Sequence, residues 1–152
     1  MKVRNVHERP LAASSAEVGA LIDDPKKMWP GDRWPGLRQN GIGFLRHEPL
    51  ERVAGERLTF RITGPGGFTG WHGWNLAHAN GHTVLRHTVE ADATGWTRFA
   101  WPTVIRPIHD ALHEDVLDAA ERAVGSERPT RPFSRRVRAL RWAIGKARSA
   151  RR

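Results

Sequence analysis

Eight histidines are the residues of this 152-residue chain best suited to chemistry near neutral pH. Three of them, His72, His87 and His109, lie in segments rich in tryptophan and aliphatic residues. An imidazole in such surroundings can exchange hydrogen bonds with a bound molecule, or act as a general acid or base. The alternative for each is a buried histidine whose hydrogen bonds are satisfied by neighbouring backbone or hydroxyl groups. Which of these roles each histidine has depends on the strand or helix in which it lies.

Metal binding is one chemistry that the histidine spacing suggests. His109 and His113 are four residues apart, so on a helix both imidazoles lie on one face, which suits zinc. However, Asp110 stands where the zinc-protease motif has glutamate, no third ligand has a recognisable spacing, and His113 is expected to turn toward solvent. The absence of cysteine excludes a thiolate-ligated metal, a cysteine nucleophile and a disulfide scaffold. We therefore expect no metal and no other cofactor.

Other catalytic motifs are also missing from the sequence. The glycine-rich segment 64–70 has Thr69 at a motif position and no helix after it, so it is neither a dinucleotide fingerprint nor a P-loop. No nucleophile elbow is present. Two carboxylate pairs, Asp23-Asp24 and Glu114-Asp115, fall at predicted helix caps or on polar helix faces. We expect these carboxylates to be solvated.

The first part of the chain predicts one strand and two short helices. Val3–Leu11 can form the strand, and Ser14 with Glu17 fits a capping box before a helix over 15–22. Asp24 followed by Pro25 predicts a second short helix. Residues 28–41 are rich in tryptophan, proline and glycine and predict a loop.

The middle of the chain predicts an antiparallel meander. Extended segments are expected at 42–47 and 51–53, followed by an alternating strand around Phe60. Residues 68–78 and 83–91 form the next two predicted strands. Asn80-Gly81 between them is a strong two-residue hairpin signal, because both turn positions need a positive φ.

The apolar period changes to that of a helix after Trp101. This helix is expected to begin between residues 96 and 107 and to end near Gly125, with Pro107 either in its first turn or at a kink. Its apolar stripe consists of Trp101, Ile105, Ile108, Leu112, Val116, Ala119 and Ala123. Its acidic residues, expected on the opposite face, are Asp110, Glu114, Asp118 and Glu121.

The order of these elements predicts an α+β fold with an internal cavity. A curved antiparallel sheet must cover one face, and one long helix across it does so. A single helix cannot fill a wide concave sheet, and the remaining space is where small ligands bind.

Four stretches of sequence carry a resemblance to a known family. They are VHER (6–9), WPGDRWP (29–35), FRITGP (60–65) and IRPIHDAL (105–112). Over residues 3–124 the chain resembles bacterial proteins of uncharacterised function in the SRPBCC, or START-like, superfamily, which includes polyketide cyclases/dehydrases and Bet v 1-like proteins. The resemblance implies a helix-grip fold, in which a curved antiparallel sheet wraps around a long C-terminal helix, with two short helices after strand 1. It implies no single function, since the superfamily contains lipid binders, cyclases, dehydratases and chaperone regulators.

Strand alternation and the helical stripe together predict a ligand-binding pocket. Its residues are Phe60, His72, Trp74, His87, Trp101, Ile105, His109 and Leu112. The loop residues Trp29, Arg33 and Trp34 are predicted to gate it. The predicted function is binding of a small hydrophobic or aromatic molecule, lipid or polyketide-like, between sheet and helix. One alternative is a cyclase- or dehydratase-type enzyme that uses the pocket histidines, so whether the chain is an enzyme stays open. Another is an adaptor that acts through the basic C-terminal tail at membranes or nucleic acid.

The net charge of +9 is concentrated near the C-terminus. Residues 126–152 contain ten basic residues and one acidic residue, which accounts for the whole excess. We expect a helix-grip domain over 1–125 and a basic helical extension over 126–152. The narrow apolar stripe of a helix over 134–150 could pack on the domain, on a second copy or on an anionic membrane surface. Nucleic acid is a less favoured partner, although the same charge would attract phosphates.

The N-terminal segment lacks the apolar stretch of a signal peptide, and no segment approaches the length of a transmembrane helix. The expected location is therefore the cytoplasm, with peripheral membrane association as an alternative.

Overall fold

A computed structural model describes residues 1–34, 45–126 and 129–149, with the side chains of residues 147–149 left out. Its strands are β1 (Lys2–Leu11), β2 (Arg46–Val53), β3 (Arg57–Gly64), β4 (Phe68–Ala79) and β5 (His82–Ala93). Its helices are α1 (Ser15–Asp23), a 3₁₀ helix (Pro25–Met28), α2 (Thr97–Ala100), a π-helical segment (Trp101–Ile105), α3 (Arg106–Ala123) and α4 (Arg135–Ser149).

The five strands form one antiparallel sheet in the order β1-β5-β4-β3-β2. β4 and β5 are joined by the predicted hairpin, and both turn residues have a positive φ, 51° at Asn80 and 77° at Gly81. The two extended segments predicted around Pro49 are one strand, β2, whose pairing with β3 shifts register between Pro49 and Glu51. The start of the segment predicted at 42–47 lies outside the described residues.

The helix starts follow their predicted capping residues. Ser14 accepts from the Glu17 backbone N–H, and the Glu17 carboxylate accepts from the Ser14 N–H, which completes the capping box. Asp24 caps the 3₁₀ helix by accepting from the Lys26 N–H at 3.3 Å, with Pro25 in the first turn. Both short helices predicted after the first strand are therefore present.

The long helical stretch crosses the sheet and contributes buried residues to two core clusters. It begins inside the predicted interval, and Pro107 lies in the first turn of α3, one of the two predicted positions. One core cluster packs α3 against α1 and the 3₁₀ helix around Leu85 and Leu117. The second packs Phe68 against Trp101, whose rings are stacked at 5.2 Å. The hydrophobic effect holds the sheet and the helix together through these two clusters.

The helix α4 packs against the rest of the chain. Val137 is buried in the first core cluster, with Leu140 and Ile144 packed beside it. The Arg141 guanidinium lies 4.4 Å from the Trp34 ring and 4.0 Å from the Phe133 ring, which are cation–π distances. The side chains of the apolar stripe of α4 that the structure describes thus pack against the rest of the chain.

Candidate functional site

A cavity of about 660 Å³ lies between the sheet, α3 and the 3₁₀ helix. Its wall combines residues of β2, β3, β4 and β5 with one side of the helical stretch that begins at Trp101. The aromatic and imidazole residues of the wall are Trp29, His47, Phe60, Phe68, His72, Trp74, His87, Trp101, His109 and His113. Such a cavity falls within the size range of small-molecule sites, roughly 300–1,000 Å³.

All eight residues predicted to bind a ligand lie on the cavity wall. They are Phe60, His72, Trp74, His87, Trp101, Ile105, His109 and Leu112. That they contact a ligand stays a prediction.

The predicted gating residues are divided between two places. Trp29 lies on the cavity wall. Trp34 is only 3% exposed and its indole Nε1 donates to Asp115 Oδ2 at 2.7 Å. Arg33 Nε donates to the same oxygen at 2.9 Å and its guanidinium packs on Phe133. The structure does not bring Arg33 and Trp34 to the cavity, because Asp115 and α4 hold them on the other side of α3.

Strand register explains how the wall is built. Trp74 on β4 pairs with Leu58 on β3 and with His87 on β5, and His87 pairs in turn with His7 on β1. Directly paired residues of adjacent strands lie on one face of a sheet. This row of paired residues crosses the sheet beneath α3. The alternation of side chains along each strand was therefore enough to predict that Trp74 and His87 face the cavity.

The helical stretch places its residues on the wall through its periodicity. Trp101, Ile105 and His109 are successive residues four apart, and His113 follows one turn later. The first two lie in the π-helical segment, and π-helical turns are frequent at functional sites.

Six histidines come together here, five of them on the cavity wall and His7 in ring contact with two of those five. We call His7, His47, His72, His87, His109 and His113 the histidine cluster. His72 Nε2 lies 3.0 Å from His47 Nδ1, and His72 Nδ1 lies 3.4 Å from His87 Nε2. The His113 ring centroid is 3.8 Å from that of His87 and 3.9 Å from that of His109.

Burial keeps the inner imidazoles neutral. Desolvation, together with the neighbouring His47 and His109, lowers the pKa of His72 from 6.5 to about 3. Desolvation is also the main reason that the pKa values of His87 and His113 lie well below 6.5, and adjacent imidazoles add to it. A neutral imidazole has one N–H donor and one acceptor nitrogen.

The outer edge of the cluster is charged instead. Burial lowers the pKa of His7, but hydrogen bonds to Asp110 at 3.1 Å and Glu114 at 3.3 Å outweigh it, so the pKa of His7 is raised above 6.5. Burial would raise the pKa of Asp110, but contacts with His109, His7 and Asn5 outweigh it and hold that pKa well below its usual range. An imidazole whose protonated form is favoured by two carboxylates therefore borders a group of neutral imidazoles.

The expectation that His113 turns toward solvent was wrong. His113 is 9% exposed, because His7 and His87 cover its ring from β1 and β5. The helical periodicity of α3 could not show this, since the cover comes from strands distant in sequence.

The expectation that the acidic face of the helix is solvated was also wrong in part. Asp115 and Asp118 are buried, and Asp118 is only 1% exposed. Asp118 pairs with Arg9 at 3.0 Å and Asp115 with Arg33 at 2.9 Å. Buried carboxylates are stable when cations and hydrogen bonds compensate them.

Sequence reasoning missed His7 and His47 as members of the cluster. His7 lies in the VHER stretch and alternates with Asn5 and Arg9 toward α3, a signal that the period of β1 contained. No local signal marked His47, whose position depends on the pairing of β2 with β3.

The fold and the cavity define a protein class. The five-stranded antiparallel sheet around a long C-terminal helix, with helices after strand 1, is the helix-grip fold of the SRPBCC, or Bet v 1-like, superfamily, as the sequence motifs predicted. No family model matches the chain, and no curated protein matches its sequence.

Solved structures with this fold carry the comparison. An AHSA1-like protein from Rhizobium etli is 25% identical, with 88% of this chain and 89% of that chain covered and a TM-score of 0.52. The di-domain ARO/CYC protein StfQ from the steffimycin biosynthetic pathway is 11% identical, with 81% and 50% covered and a TM-score of 0.55. Ara h 8.0201 is 12% identical, with 82% and 98% covered and a TM-score of 0.55. The last two likenesses show the fold alone.

In the parts of the chain that the structure describes, no helix combines the length and the apolar character needed to cross a membrane.

Proposed function

We propose that this chain binds a small, largely apolar molecule with aromatic character in the cavity between the sheet and α3. The observation that carries the proposal is the cavity of about 660 Å³ with its aromatic and imidazole wall. The neighbours of the fold support ligand binding at a coarse level, and the presence of an ARO/CYC protein among them makes a polyketide-like molecule a reasonable substrate class to test.

The wall supplies apolar contact and a small number of polar groups. Phe60, Trp74 and Trp101 can pack on a flat ring system, and aromatic pairs add about 0.5–1.5 kcal/mol beyond the area they bury. Apolar burial itself contributes about 25 cal/mol per Å². His47 pairs with His72 through Nδ1, so its Nε2 can exchange a hydrogen bond with an oxygen of the ligand, which would fix the orientation of that ligand.

We propose that Trp29 controls the entry of a ligand to the cavity. It lies on the wall directly after the 3₁₀ helix, whereas Arg33 and Trp34 are fixed to Asp115. We infer that these two residues anchor the segment and that movement at the mouth is confined to Trp29 and its neighbours.

Acid–base catalysis in the same cavity is the second candidate. The large number of buried imidazoles near the cavity favours acid–base catalysis. However, a pKa of about 3 makes His72 a weak base and leaves it unprotonated near neutral pH, whereas efficient general catalysis needs a pKa near the working pH. The cyclase or dehydratase hypothesis therefore ranks behind binding.

A membrane adaptor role for residues 126–152 receives little support. Val137, Leu140 and Ile144 would have to enter the membrane, and they pack on the domain instead. Trp142 is 64% exposed and beside Lys146, so a weak surface contact or self-association through this helix stays a proposal.

Calorimetric titration with three aromatic probes, 2-naphthol, 2-naphthoic acid and emodin, tests the binding proposal. We expect 1:1 binding of at least one probe. Leu58→Trp extends an indole from the wall into the cavity and should weaken that binding at least tenfold. Val53→Trp is the matched control, since Val53 is exposed on β2 and outside the wall, and should change binding less than twofold.

Failure of all three probes to bind the folded protein would overturn the proposal, as would equal effects of the two tryptophan variants. Native mass spectrometry of the purified protein gives a second measurement, in which an extra mass that is lost on denaturation identifies an occupant directly. Turnover of the bound molecule, and its loss in His72→Phe, would move the enzyme hypothesis to first place.

A further inference from the structure

Three imidazoles of the histidine cluster are close enough to share one ion. His87, His109 and His113 each offer a ring nitrogen, and these three nitrogens lie within 4.8 Å of one another. All three residues are buried, and all three lie on the cavity wall. Two come from adjacent turns of α3 and the third from β5, so rigid elements hold all of them.

The hydrogen bonding of these rings leaves nitrogens unused. His113 Nδ1 lies 2.9 Å from the carbonyl oxygen of His109, so it donates there and its Nε2 keeps a free lone pair. The Nδ1 atoms of His87 and of His109 are buried and have no hydrogen-bond partner in the described part of the chain. Leaving a buried polar atom unsatisfied costs about 1–3 kcal/mol, so such atoms call for an explanation.

We propose that His87, His109 and His113 form a binding site for one divalent transition-metal ion of the zinc type, whose remaining coordination position opens into the cavity. An ion at this point would take one ring nitrogen from each of the three histidines. This proposal goes beyond ligand binding, because the site can hold a metal ion whether or not a ligand occupies the cavity.

The donor set selects the class of metal. Imidazole nitrogens suit zinc, copper and nickel, whereas calcium and magnesium need oxygen ligands. Three histidines with an open fourth position is an arrangement found in catalytic zinc sites. Zinc–nitrogen bonds of about 2.0–2.1 Å place tetrahedral ligand atoms about 3.3 Å apart, so ring rotations that bring the three nitrogens closer together complete the site.

The surroundings of the three rings favour the same conclusion. All three rings are buried, and the neutral imidazole is the form that binds a metal. Asp110 Oδ1 lies 3.7 Å from His109 Nδ1, too far for a hydrogen bond, so this nitrogen stays available to an ion. The bond from His113 Nδ1 to the His109 carbonyl fixes the orientation of the His113 ring.

A competing group shares one residue with this site. His7, His109 and Asp110 also offer three ligand atoms within 4.8 Å. Its members already bond one another, since His7 Nε2 lies 3.1 Å from Asp110 Oδ1 and Asn5 donates to the same oxygen at 2.7 Å. We therefore assign the ion to the trio that has unused nitrogens.

The test uses the full chain, stripped with a chelator and then titrated with Co²⁺ or Zn²⁺ alone. We expect one equivalent of metal by elemental analysis, with the visible absorption of cobalt in a low-coordinate nitrogen site. His87→Gln and His113→Gln should each lose the stoichiometric metal and the cobalt spectrum. His47→Gln is the matched cavity control and should retain both, since His47 lies in the cluster but outside the trio.

The cobalt spectrum of the unaltered protein keeps the proposal testable even if a variant does not fold. Absence of bound metal in the folded, unaltered chain overturns the proposal. Retention of metal by folded His87→Gln, with its loss in His7→Gln, overturns it in favour of the competing group.

Discussion

His7 on β1 and His87 on β5 are directly opposite residues of an antiparallel pair, and both rings lie against His109 and His113 of α3. This pairing connects the charged edge of the histidine cluster, where His7 contacts Asp110, with its neutral interior.

The buried imidazoles predict that the metal-free protein loses stability in mild acid. The folded pKa of His72 is about 3 against 6.5 when unfolded, so the unfolded chain binds more protons than the native chain between these values. Stability is therefore fully present above pH 6.5 and is lost as the pH falls through this window. His7 does not oppose this, because its raised pKa gives a contribution that is already complete below pH 6.5.

Each pKa unit corresponds to 1.36 kcal/mol, so His72 alone should lower the free energy of unfolding by roughly 2 kcal/mol between pH 6.5 and 5. Urea unfolding of chelator-treated protein at the two pH values measures this, and His72→Phe should reduce the difference by that amount. A free energy of unfolding that is unchanged between the two pH values would show that these imidazoles are not kept neutral.

The buried ion cluster of Arg9 predicts a large effect of removing one cation. Arg9 donates to Glu114, Asp118 and Glu121 at 2.8–3.0 Å. Arg9→Met leaves these carboxylates partly uncompensated, which should cost about 3–5 kcal/mol in the free energy of unfolding.

Arg4→Met is the matched control on the same strand. Arg4 pairs with Glu90 at 3.2 Å on the exposed face, so its loss should cost about 1 kcal/mol or less. Equal losses for Arg4→Met and Arg9→Met in urea unfolding would mean that burial of the Arg9 cluster has no energetic consequence.

The indole of Trp34, held by a buried hydrogen bond to Asp115, predicts that its contact with Arg141 helps to hold α4 on the rest of the chain. Trp34 Nε1 donates to Asp115 at 2.7 Å, and Arg141 of α4 packs on the indole. Trp34→Phe should lower the free energy of unfolding by roughly 2 kcal/mol and speed tryptic cleavage at the arginines of α4. Trp142→Phe, at an exposed position on α4, should change both by little. Unchanged proteolysis in Trp34→Phe would show that α4 is held by other contacts.

Period and capping chemistry predicted the fold and the wall residues for a physical reason. Alternation on β4 and β5 fixed the inward faces of His72, Trp74 and His87, and a 3.6-residue period fixed those of Ile105 and His109. Both periodicities depend only on residues that are close together in the sequence, so a single sequence is enough to detect them.

The cluster and the ion pairs could not be predicted in the same way. His113 and Asp118 fall near the edge of the apolar stripe, and their burial depends on His7 and Arg9 of β1, about a hundred residues earlier. His47 depends on the register of a strand interrupted by Pro49. The sequence therefore predicted that His72, His87 and His109 lie on the wall. It did not predict that His7, His47 and His113 join them in one cluster.

Close packing of two glycines predicts the last effect. Gly19 of α1 faces Gly55 in the turn between β2 and β3, and a Cβ added at Gly19 would lie 2.6 Å from the Gly55 carbonyl oxygen and 2.8 Å from its Cα. Both contacts are with backbone, so one element must move. Gly19→Ala should therefore destabilise by about 1–3 kcal/mol, although alanine favours a helix. Gly145→Ala in α4 is the control, since a Cβ there meets nothing within 4 Å among the residues that the structure describes, and should stabilise by about 0.5–1 kcal/mol. Thermal unfolding of both variants decides the point, because a rise in melting temperature for Gly19→Ala would mean that α1 does not lie this close to the turn.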